Sequence, residues 1–176
     1  VRRIEESGAD VLLFALPGAD GITFIRQAED FGLLEKVTVG FLGFSEDYLG
    51  AFGEGKAQDM WVTVPFAAAD PAEGVQHFTG RLAAMAGPDV VASHYTMTLF
   101  NAAMALAQAL EGAATIDSEA LVDGFEGLEM ETATGFLSIG AEDHHVTMEM
   151  LLAHTAGDGL EVVDRLGPVA PEAGCS

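Results

Sequence analysis

Cysteine is nearly absent. The one thiol, Cys175, stands second from the end and can form neither an internal disulfide nor a multi-cysteine metal cage, which leaves the redox compartment open. Positive charge is almost as scarce. Seven Lys and Arg face 28 Asp and Glu, giving a formal net charge of −21 and an isoelectric point of about 4.2. Such a field repels phosphate backbones and anionic lipid heads, so nucleic acid is excluded as a partner. Only Lys36 and Lys56 are lysines, and most carboxylates are left to face water without a cation.

Long apolar runs are lacking too. The longest uncharged stretch, Val90 to Leu110, approaches the roughly 20 residues that span a bilayer, but His94, Asn101 and Gln108 interrupt it. Asp89 and Glu111 flank it and no basic cluster marks an inside face, so it reads as a helix covered on most sides by protein. The chain begins Val1-Arg2-Arg3-Ile4, without Met or an apolar signal core, so a targeting segment is expected upstream or already removed. No internal repeat appears. What is present is apolar content: 49% of the 176 residues are hydrophobic, enough to exclude disorder and to bury a core in one domain or two small lobes.

The first ninety residues alternate between two periods. Val11 to Leu16 is a short apolar run expected to be a strand buried on both faces. Pro17-Gly18-Ala19-Asp20-Gly21 breaks it, and Ile22, Ile25 and Ala28 then fit a helix that Gly32 terminates. Val37 to Leu42 is a second strand, followed by Ser45 as a helix N-cap before Glu46 and Asp47. Met60 to Val64 is a third, ended by Pro65-Phe66. Asp70-Pro71-Ala72-Glu73 then opens a helix to about Ala86, with Asp70 as its cap and Pro71 at its first position. Strands alternating with helices predict an α/β fold with a parallel sheet flanked by helices, and ligands at the carboxyl ends of the strands.

The second half differs. After Gly87-Pro88 comes a helix with Tyr95, Leu99, Ala102, Leu106 and Leu110 on one stripe and Met97, Phe100, Met104 and Ala107 on another. A second helix is entered at Asp117. Gly135 to Ile139, Val146 to Leu152 and Leu160 to Leu166 read as strands, the last two joined by a turn at Ala156 to Gly159.

Few residues offer catalytic chemistry. Asp143-His144-His145, with Glu142 and His154 nearby, is the candidate metal cluster, yet neighbours on a strand point to opposite faces and no metal site is expected. Gly18-Ala19-Asp20-Gly21 lacks the full dinucleotide-loop spacing. Ser45 and Ser93 lack a nucleophile-elbow setting, and Cys175 lies in a tail. An α/β enzyme is therefore disfavoured, and no cofactor is implied.

Gly8-Ala9-Asp10-Val11-Leu12-Leu13, Phe24-Ile25-Arg26-Gln27-Ala28 and Phe31-Gly32-Leu33 resemble the second lobe of type I solute-binding proteins. These serve branched-chain amino acid, amide and urea ABC transporters. Asp59 to Phe66, the helix headed by Tyr95, Asp117 to Leu128, the Gly135 strand, Asp143-His144-His145 and Asp158-Gly159 fall in the same order. The resemblance implies a periplasmic-binding-protein-like I fold, but only its C-terminal lobe plus part of the N-terminal lobe, since family members are roughly twice as long. Residues 1–87 and 145–176 map to lobe 2, and 88–144 to hinge crossings and helices of lobe 1. The N-terminal half is missing from this chain.

The resemblance further implies a non-enzymatic receptor, periplasmic or extracellular, that delivers a small polar ligand to ABC permease subunits. An alternative is a cytoplasmic ligand-sensing regulator of the amide-sensor type. Two departures bear on the ligand: the loop Phe41 to Ser45 lacks the acidic residue that answers an amino-acid ammonium in the family, and Thr96 stands where Asp is common. They favour a neutral or carboxylate ligand, such as an amide or urea, over a branched-chain amino acid. The expected ligand-facing residues are Leu16, Pro17, Gly18, Gly43, Phe44, Ser45 and Phe66, with amides at helix N-termini as donors and the two phenylalanines as apolar walls. His144 and His145 are expected to hold the chain's return to lobe 2 through backbone carbonyls. The two-striped helix needs a second covering surface, which the N-terminal half is expected to supply.

Overall fold

The computed structural model describes residues 1–53 and 55–170; Cys175 and the end of the 145–176 segment lie outside the described residues. A short helix, α1 (Arg2–Ser7), leads into β1 (Val11–Phe14), α2 (Ala19–Asp30) and β2 (Thr38–Phe41). Phe31 caps α2, and the Gly32 and Leu33 amides return to the Glu29 and Ala28 carbonyls at 2.9 and 2.8 Å. Gly32 takes φ 66° there, a turn that glycine makes without steric cost. A 3-10 turn (Glu46–Tyr48) and α3 (Leu49–Phe52) follow, then β3 (Trp61–Val64).

β1, β2 and β3 run parallel in that order. Alternation puts Phe14, Val39, Phe41, Val62 and Val64 on the buried face, where they pack with Ile25, Ala28, Phe44 and Tyr48. The expectation that the Val11–Leu16 run is buried on both faces fails: Val11 is exposed and Leu13 is 73% exposed. β1 is an edge strand whose second face nothing among the described residues covers. It also ends at Phe14, two residues before the expected end at Leu16.

α4 (Glu73–Ala86) starts later than expected. Asp70 does not cap it: its Oδ1 accepts from the Ala72 N–H at 3.0 Å and from Arg165 at 2.6 Å, and Ala72 is the N-cap residue. α5 (His94–Ala113) begins after Ser93, whose N–H donates to Thr96 Oγ1 at 2.9 Å. Asp117 accepts from the Ala120 N–H and opens α6 (Ser118–Phe125). No single helix among the described residues is long and apolar enough to cross a membrane; α5 and α6 meet both conditions only together, as a pair bent by 112°.

Four antiparallel strands close the sheet: β4 (Glu129–Thr132), which the sequence reading misses, β5 (Gly135–Ile139), β6 (Val146–Ala156) and β7 (Gly159–Val169). β6 has two partners on one edge. Leu151–His154 pair with β3, while Val146–Met148 pair with β5. β7 follows the other edge, with register shifts between Met150 and Leu151 and between Leu152 and Ala153. Such irregularities bend a ribbon, and the first of them falls where β6 passes from one partner to the other.

The core divides in the same way. One cluster gathers β1–β3, α2 and the Leu151 end of β6. Phe66, Val75 and Met97 form a second, and Ala105, Ala109 and Leu128 a third, joining α4, α5 and the β4–β5 hairpin. α4 packs on α5 rather than on the parallel sheet. The two clusters adjoin just after β3, where Ala67 packs into the first and Phe66 and Ala68 into the second.

Candidate functional site

The carboxyl ends of β1 and β2 place two loops side by side. Leu16 and Pro17 are exposed, Gly18 is half-buried and Gly43 is exposed, and a Cβ on Gly43 would lie 3.5 Å from Pro17. Gly18 is the N-cap of α2 at φ 81° and Gly43 has φ 78°. Both loops thus depend on backbone conformations that L side chains rarely adopt. Four of the seven expected residues are brought to one surface.

The other three turn inward. Phe44 stacks edge-on against Phe41 and Tyr48, and Phe66 packs on Phe78; both are fully buried, so neither is an apolar wall. Ser45 is also buried, and its hydroxyl donates to Asp47 Oδ2 at 2.6 Å instead of capping a helix. An apolar loop residue beside a sheet gains more from the core than from the surface.

Other side chains occupy the surface. Tyr48 Oη accepts from the Gly18 N–H at 3.0 Å and lies 3.4 Å from Tyr95 Oη, so the two tyrosines of the chain meet above the α2 N-terminus. The hydrogen bond with Tyr48, then burial, pushes the Tyr95 phenol above its ordinary pKa. The His94 ring lies 4.1 Å from the Tyr95 ring. Burial holds that imidazole below its usual pKa, while the Asp47 charge pulls the other way. Glu46 is buried, its Oε1 accepting from the Ala68 N–H at 3.1 Å, and burial pushes its carboxyl up to about 7. Asp47, Tyr48 and His94 were absent from the sequence-derived set, although Tyr95 stood out as the head of its helix.

This surface is a wall, not an enclosed pocket. Two depressions, of about 520 and 510 Å³, lie elsewhere. One lies at the amino ends of β2 and β3, beside Thr38 and Trp61. The other lies between α4 and α5, lined by Phe78, Leu82, Met85 and Phe100.

Among the described residues no three His, Cys, Asp or Glu side chains are grouped to hold a metal. His144 takes φ 56° in the turn before β6, its Nε2 lies 3.1 Å from Glu126 Oε1, and the His145 N–H donates to Asp143 at 3.0 Å. The imidazole of His144 therefore meets a carboxylate where a backbone carbonyl was expected.

Residues 1–159 match the family model described as periplasmic binding protein, and the chain belongs to that family. No curated protein matches it. Among solved structures, an ABC transporter substrate-binding protein from Sphaerobacter thermophilus is 21% identical with a TM-score of 0.79 over 94% of this chain. An amino acid ABC transporter substrate-binding protein from Pseudomonas fluorescens Pf-5 is 18% identical, with 0.81 over 97%. A solute-binding protein from Rhodopseudomonas palustris HaA2, in complex with p-hydroxybenzoic acid, is 20% identical, with 0.78 over 96%. The fold is thus the periplasmic-binding-protein-like I fold. The chain spans about half of each of these proteins: 47%, 48% and 47%.

Proposed function

We propose that this chain is the C-terminal portion of a solute-binding receptor, not an enzyme, that presents a small ligand to an ABC importer outside the cytoplasm. The family match over residues 1–159 carries the reading. The division of β6 between two partners, β3 at one end and β5 at the other, supports it, since a strand shared by two bodies suits a cleft that opens and shuts. On this reading lobe 2 holds β1–β3 and the β3-paired end of β6, and the α4–β5 body belongs to lobe 1. A second half, similar in extent to the rest of the solved relatives, covers α5 and supplies the facing wall. Permease subunits receive the loaded protein.

The ligand presents an oxygen, carboxylate or amide, to the hydroxyls of Tyr48 and Tyr95, the first of them oriented by the Gly18 N–H. Amides, urea and branched-chain amino acid-like molecules remain in this class, and the p-hydroxybenzoate held by one relative adds aromatic carboxylates. Leu16, Pro17, Gly18 and Gly43 line the wall. Native mass spectrometry of the full-length protein with retained ligand, followed by calorimetric titration, tests the reading. Tyr48→Phe and Tyr95→Phe are each expected to weaken binding by roughly 5–30-fold, the worth of one hydrogen bond near 1–2 kcal/mol. Unchanged affinity in both variants places the ligand elsewhere.

A further inference from the structure

Two connections join the bodies, the Pro65–Ala72 segment and the β6–β7 ribbon, and buried carboxylates grip the first at two points. Asp70, 3% exposed, binds the Ala72 N–H and Arg165, which sits on β7 between its register shifts. Gln76 Nε2 donates to the Asp70 carbonyl at 2.7 Å. Asp70 is therefore paired with a guanidinium. Glu46 has no such partner: it is 7% exposed, one oxygen accepts from the Ala68 N–H, and Oε2 is buried without a donor.

We propose that Glu46 is a proton-operated clasp between the strand-end loop of the first body and the segment that crosses to the second. With its proton on, the carboxyl keeps the Ala68 hydrogen bond and buries no charge. Ionised, it must hold a charge in the interior with one oxygen unmatched, and the loop gains by releasing it to water. The groups around it do not relieve that cost. Asp47, on its own element, adds a like charge. On the crossing segment Asp70 is matched by Arg165. On α5, Tyr95 is neutral and burial disfavours the charged form of His94. No cation forms an ion pair with Glu46 among the described residues.

The carboxyl is raised in the clasped state from 4.5 to about 7. The clasp is thus at full strength below about pH 4.5, weakens as pH rises, and levels off above about 7, where both states are ionised. Between pH 5 and pH 8 this is a loss on the order of 50-fold.

Hydrogen exchange of peptides covering Phe66–Ala72 in the full-length protein, corrected for intrinsic exchange, reads that loss. Protection is expected to fall on the order of 50-fold from pH 5 to pH 8 while β2 and β3 keep theirs. Glu46→Gln, which retains an acceptor for the Ala68 N–H but no titrating charge, is expected to hold protection level. A flat wild-type profile, or the same slope in the Gln variant, overturns the clasp. If that variant does not fold, carbon-13 titration of the wild-type Glu46 carboxyl decides: a midpoint near 7 supports the clasp and one near 4.5 overturns it. Neither measurement uses ligand, so failure here leaves the receptor reading intact.

Discussion

At Gly21 a Cβ would stand 1.8 Å from the Leu16 carbonyl oxygen, so the chain leaving β1 lies directly on the first turn of α2. That approach sets the Leu16–Gly18 loop against the helix N-terminus and leaves the Gly18 amide free to meet Tyr48. Gly21→Ala must push the loop away, at a cost of about 1–3 kcal/mol. In thermal unfolding this is expected as a Tm lower by roughly 2–4 °C for each kcal/mol. A wild-type melting curve would show that the loop yields freely. At the same scale, the sequence marked Pro17, Gly18 and Gly43 as loop residues through their chemistry. It could not tell that Phe44 and Phe66 turn inward, because a loop has no period to assign a face.

Among the elements, α4 shows how packing can override a local signal. Asp70-Pro71-Ala72-Glu73 has the composition of a capped helix start, yet Arg165, 95 residues away, takes the carboxylate and the helix begins at Glu73. Gly74 then fixes the helix's neighbour, since a Cβ there would lie 2.5 Å from the Ala133 carbonyl oxygen. Gly74→Ala is expected to part α4 from the β4–β5 turn. The cost is about 1–3 kcal/mol, read as lost exchange protection around Val75 and Met97 with β1–β3 unchanged. Equal loss in both bodies would show that they unfold as one unit. β4 escaped notice for a related reason: Glu129-Met130-Glu131-Thr132 gains its strand character from pairing with β5, not from its own composition.

At the scale of the whole molecule, two of the uncovered apolar surfaces are faces of regular elements. Val11 and Leu13 lie open on the outer face of the parallel sheet, and Leu99, 72% exposed, and Leu106 project from one face of α5. An unpartnered stripe of this kind attracts other apolar surface at about 25 cal/mol per Å². The 176-residue chain by itself is therefore expected to self-associate or bind a hydrophobic dye, and Leu99→Lys with Leu106→Lys to reduce both. The longer protein is expected to do neither. A dye-silent, sharply melting monomer of the chain alone would count against the half-receptor reading. The net charge of −21 works the other way, keeping copies apart at low salt, so the measurement belongs at physiological ionic strength.

The sequence by itself determined the strand and helix grammar, because apolar period, β-branched runs and glycine or proline stops act within a few residues. It also determined the family, through an order of short motifs along the chain. Only the tertiary structure decided where the core changes hands, which partner each end of β6 takes, and that Tyr48 meets Tyr95 across 47 residues. It likewise buried Glu46 beside Ala68. These are long-range contacts, set by how register, bulges and packing close together, and no local window of residues contains them.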